Sequence, residues 1–118
     1  MSIRLLVPTL AICCFLAIGL SGPARADGTV DEARYYQLIY DFEVAGYCGL
    51  ITTPILDATR SKRDGIERES ALSADDLRSI RIAAFVAADR EYQNRSLGGH
   101  KAWCQSDGVD GVNRILGR

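Results

Sequence analysis

From residue 29 onward the chain runs in amphipathic stretches separated by short polar breaks, and the apolar residues recur at intervals of three and four. That is the period of a helix with a buried face. The first helix is expected to open at Thr29, because Thr29-Val30-Asp31-Glu32 fits a capping box and its acids suit the positive end of the helix dipole. Tyr35, Leu38, Ile39, Phe42 and Ala45 mark its buried face, with Tyr36, Tyr40 and Val44 as a neighbouring stripe. So wide an apolar arc makes this the central helix of the fold. It should end or tighten where Gly46 and Gly49 bracket Cys48.

Thr53 as N-cap with Pro54 at the first helical position starts a second helix, running to about Glu69, with a candidate break near Gly65. Ser73-Ala74-Asp75-Asp76 caps a third, from Ala74 to about Asn94. Leu77, Ile80, Ala84 and Ala87 form its core line, widened by Phe85, Val86 and Ala88. Its alanines suit close approach by the aromatic-rich first helix. After Gly98-Gly99 a fourth helix begins near His100, carries Ala102, Trp103 and Cys104, and kinks or is recapped near Asp107. Val109, Val112 and Leu116 continue its stripe. No segment alternates with a period of two. The expectation is an all-α fold, a small four-helix bundle-like domain.

Residues 1–26 have a different character. Arg4 precedes an apolar run from Leu5 to Leu20, and Ala24-Arg25-Ala26 offers small residues at the positions a signal peptidase reads. This is the pattern of a cleavable signal peptide, cut between Ala26 and Asp27 and leaving residues 27–118 as one helical domain. The run is short for a spanning helix, so stable membrane insertion after cleavage is not expected, although a retained anchor is the alternative. Loss of Arg4 and Arg25 leaves 12 basic residues against 15 acidic ones, a net charge of −3. Such a balance gives no basis for holding nucleic acid by charge. The expected location is the periplasm or the exterior.

Cleavage also removes Cys13 and Cys14, leaving Cys48 and Cys104 as the remaining pair. In an exported chain such a pair reads as a structural disulfide, here tying the first helix to the last. In the chain-entropy view, a loop of that length stabilises by about 4 kcal/mol. The alternative is a small metal-binding protein or hydrolase using His100 and Cys104, which share a helix face at a spacing of four. It lacks the further ligands a metal needs. No carboxylate couple stands out: Asp41 with Glu43, and Asp89 with Glu91, point apart. Asn94-Arg95-Ser96 matches a glycosylation sequon that matters only in a eukaryotic secretory pathway. No cofactor motif occurs.

The tyrosines are concentrated at Tyr35, Tyr36, Tyr40 and Tyr47, with Tyr92 late in the third helix. Such residues suit a core rim or a binding face. Tyr36, Tyr40 and Trp103 are the candidate partner surface. With these pieces placed, the chain resembles a group of small exported all-helical proteins of uncharacterised function from alphaproteobacteria. The likeness rests on Asp27-Gly28-Thr29-Val30-Asp31-Glu32-Ala33-Arg34-Tyr35-Tyr36, on Tyr47-Cys48-Gly49-Leu50, and on Leu97-Gly98-Gly99 followed by Ala102-Trp103-Cys104. It implies an exported soluble domain and carries no activity with it. The function expected is a non-enzymatic binding or accessory role in the cell envelope, with an envelope protein as partner.

Overall fold

The computed structural model describes residues 24–95 and 98–118, with side-chain surroundings from residue 29 onward. The apolar leader with Cys13 and Cys14, and Ser96 of the sequon, lie outside the described residues. Helices α1 (Ala24–Tyr47), α2 (Thr53–Glu69) and α3 (Ala74–Asn94) are followed by α4 (Gly99–Trp103), a π-helical turn (Cys104–Gly108) and α5 (Val109–Leu116). The backbone stays right-handed helical from α4 through α5. The described residues therefore hold four helices and no strand, the last with one wide turn in its middle. None of these helices is long and apolar enough to cross a membrane.

Local chemistry explains most of the boundaries. α1 closes through paired bonds, from the Leu50 amide to the Ala45 carbonyl (2.9 Å) and from the Gly49 amide to the Gly46 carbonyl (3.2 Å). This closure requires a left-handed residue, and Gly49 supplies it with φ +66°. α3 opens on a complete capping box: the Ser73 hydroxyl accepts from the Asp76 amide at 3.1 Å, and the Ser73 amide donates to Asp76 Oδ2 at 2.9 Å. The Ser73 backbone bond, then its hydroxyl, hold the Asp76 carboxyl below its ordinary range.

Three expectations need correction. Thr29 is not the first residue of α1, because the helix already runs from Ala24. In the chain that keeps residues 24–26, the good helix formers Ala24, Arg25 and Ala26 let the helix extend upstream of Thr29. The cap of α2 is Thr52 rather than Thr53, with no side-chain bond, and α2 passes Gly65 unbroken to Glu69. In the last helix, Asp107 does not recap the backbone; the turn at Cys104–Gly108 is widened there instead. There the Ser106 hydroxyl bonds back to the Ala102 carbonyl at 2.9 Å, a bond that loosens helical turns.

Two apolar clusters form the core. Tyr35, Leu38, Ile55, Ile66, Leu77 and Ile115 bring together α1, α2, α3 and α5. Val44, Ala88 and Trp103 form the second, with Tyr40, Tyr47, Tyr92, Cys48 and Cys104 packed against it. The last helix can lie close to α1 because it presents glycines there. A Cβ at Gly111 would come within 3.2 Å of Asp41, and one at Gly108 within 3.1 Å of Cys48 Sγ. Helix α3 departs from the sequence reading on its outer side. Leu77, Ala84 and Ala88 are buried, but Phe85 and Val86, expected to widen the core line, are 48% and 44% exposed.

Candidate functional site

Cys48 directly follows α1 and Cys104 starts the π-helical turn, and their sulfurs are bonded at 2.00 Å with a sequence separation of 56. Because Cys104 is held in this bond, it offers no thiol to a nucleophile or to a metal. His100 does not face it as a base would. Its ring stacks on Tyr92 at 4.5 Å, and Nε2 lies 3.0 Å from the Tyr92 carbonyl oxygen. Among the described residues no cluster of three metal-ligating side chains occurs. The His100–Cys104 alternative therefore loses its reacting groups.

The proposed trio of Tyr36, Tyr40 and Trp103 is also corrected. Tyr36 and Tyr40 lie together as a stacked pair, ring centroids 6.2 Å apart. Trp103, however, is 3% exposed and belongs to the second core cluster. Arg95 covers its ring, with Cζ 5.3 Å from the centroid. Its place in the core follows from the disulfide next door, which draws the start of the last helix onto α1 and α3. The remaining tyrosines hold helices together. Tyr47 stacks on Tyr92 at 4.5 Å and donates to Asp89 at 2.9 Å. Tyr35 is fully buried; its hydroxyl donates to Glu67 at 2.5 Å and accepts from Arg81 at 3.0 Å. This joins α1, α2 and α3 at one point. Burial, then the Glu67 bond, push the Tyr35 phenol above its ordinary value of 10.0, while Arg81 pulls the other way.

Two clefts open between the helices. One, of about 700 Å³, lies between α1, α2 and α5. Its wall contains an ion pair that sequence reasoning missed, between a buried carboxylate and a half-exposed arginine. Asp41 is 2% exposed and accepts from Arg114 twice, Nη2 to Oδ1 at 2.8 Å and Nε to Oδ2 at 2.9 Å, and from Gln37 Nε2 at 2.8 Å. The Asp41 bond raises the Arg114 pKa further above its usual value. The sequence signal was a carboxylate in step with Leu38, Val44 and Ala45 on a buried face; its partner, 73 residues away, carried none.

The second cleft, about 460 Å³, runs between α1, α2 and α3. Ile39, Phe42 and Leu56 line it together with Ile82 and Phe85, which are 55% and 48% exposed. Arg60, Arg63 and Arg81 also line it. Arg81 and Arg63 share Glu67 at 3.5 and 3.9 Å, whereas Arg60 makes no ion pair among the described residues. Glu43 sits at the same wall, its carboxyl pushed above the ordinary range by burial. An apolar floor beside arginines favours a ligand with an apolar face and a negative group. Neither Phe85, which read as core, nor these arginines stood out in the sequence. No family model matches the chain, and no curated protein and no solved structure matches it either.

Proposed function

We propose that the protein is an exported, non-enzymatic binding module of the cell envelope. Its ligand site is the groove between α1, α2 and α3, and its ligand is an acidic segment with an apolar face. The observation that carries this reading is the groove itself, where Phe85 stays open to solvent above Ile39, Phe42 and Leu56, beside the uncommitted guanidinium of Arg60. Large apolar side chains grouped on a surface mark interaction sites more often than isolated ones do. Export is supported by the leader pattern of residues 1–26 together with the disulfide, a bond that persists in oxidising compartments.

The groove is tested with 1-anilinonaphthalene-8-sulfonate, an apolar anion that carries both features of the ligand. The oxidised protein is expected to enhance its fluorescence. Phe85→Glu abolishes the enhancement, and Arg60→Glu weakens it several-fold, with the helical circular dichroism unchanged in both. No enhancement by the parent protein, or equal enhancement by both variants, would overturn the reading.

A further inference from the structure

Helix α3 has two apolar sides. Opposite its core residues Leu77, Ala84 and Ala88, it turns Ile82 and Val86 outward, 55% and 44% exposed. Ser79, Ala83 and Ala87 flank these two side chains and leave a shallow depression on the outer surface, which reaches Arg90. Positions 75, 79, 82, 86 and 90 follow one another at spacings of four and three, so Asp75, Ser79, Ile82, Val86 and Arg90 form one stripe. A helix that is apolar on both sides ordinarily has a neighbour on both sides.

The charges at the two ends of the stripe identify that neighbour. A twofold axis crossing α3 between Ile82 and Ala83 sets residue 75 of one copy against residue 90 of the other. It sets 79 against 86, and 82 against 83. Each Asp75 then meets an Arg90, twice over, while each Ile82 enters the small-residue depression of the facing helix, as a knob enters a hole. A parallel arrangement would put Asp75 on Asp75 and Arg90 on Arg90. Within the chain, Asp75 and Arg90 make no ion pair or side-chain hydrogen bond among the described residues, and both are exposed. We infer that the outer face of α3 is the interface of an antiparallel homodimer, in which Ile82 and Val86 are covered by a second copy and paired Asp75–Arg90 contacts fix the register. Such an interface is isologous, the form closed dimers take.

The test is sedimentation velocity of the oxidised protein and three sets of variants, each checked for unchanged helical circular dichroism. The parent protein is expected to sediment as a dimer at tens of micromolar, and Val86→Glu as a monomer. Asp75→Arg alone and Arg90→Asp alone are each expected to be monomeric, because every cross-axis pair becomes repulsive. Mixed in equal amounts, those two are expected to form a heterodimer, since position 75 of each chain then meets the opposite charge at position 90 of the other. Phe85→Glu, which disrupts the groove, stays dimeric, and this separates the interface from the ligand site. A monomeric parent protein, a dimer that survives both single reversals, or a mixture that stays monomeric would each overturn the inference.

Discussion

Replacing Arg114 by alanine should cost far more than an exposed arginine normally does. Its guanidinium supplies two of the three hydrogen bonds on Asp41, and the Asp41 side chain is 3% exposed while that of Arg114 is 51% exposed. Removing the cation leaves a buried carboxylate with Gln37 alone. Stranding one member of a buried pair costs about 3–5 kcal/mol. Here solvent already reaches the arginine side and can enter the vacated space, so the lower end, about 3 kcal/mol, is expected. For a domain of this size that corresponds to a fall in Tm of roughly 12–24 °C. The assay is urea unfolding followed by the fluorescence of the buried Trp103, with thermal melts alongside. A double variant, Asp41→Leu with Arg114→Met, removes both charges and should recover most of the loss, because an apolar pair of similar size needs no counter-charge. A single-variant cost below about 1 kcal/mol would refute the reasoning. So would a double variant as unstable as the sum of two separate losses.

Other outcomes follow from the same contacts. Gly65 and Gly111 should respond oppositely to alanine. Gly65 has nothing within 4 Å of a new Cβ and should gain up to about 1 kcal/mol, whereas Gly111→Ala meets Asp41 at 3.2 Å and should lose about 1–3 kcal/mol, both read by urea unfolding. Serine at both Cys48 and Cys104 should lower stability by about 4 kcal/mol, measured the same way. Alkaline pH should destabilise the protein. The phenols of Tyr35 and Tyr40, raised first by burial, and of Tyr47, raised first by its bond to Asp89, all titrate above 10.0 when folded. Their contribution is whole below the unfolded value near 10 and is lost as pH climbs through the folded values. Urea unfolding at pH 8 and at pH 11 should show that decline, and Tyr35→Phe should make it shallower.

The sequence made local features legible and left lateral ones hidden. The Ser73 capping box, the C-terminal ends of α2 and α3 and the glycine that closes α1 each depend on residues within one turn, and the structure has them where they were expected. The pairing of Cys48 with Cys104 was legible for a different reason, since the expected removal of the leader left them no competitor. On α3 periodicity found the core line of Leu77, Ile80 and Ala84 but overstated its width, because a helix apolar on two sides gives the core no clear edge. Phe85 and Val86 were therefore assigned inward. Trp103 went the other way: its ring was offered to a partner, but the neighbouring disulfide carries it into the core. Asp41 was dismissed as an acid without a couple, because its burial depends on Arg114 at the far end of the chain. The groove arginines did not stand out, since only the folding together of the helices sets Arg60 and Arg63 of α2 and Arg81 of α3 beside Phe42.

The central claim is an exported helical module closed by its own disulfide. Its most direct test is the intact mass of the protein isolated from the cells that make it, alkylated before any reduction. The predicted result is a chain beginning at Asp27, two hydrogens lighter than its reduced form and carrying no alkyl group. A chain retaining residues 1–26, or one alkylated at both Cys48 and Cys104, would contradict it.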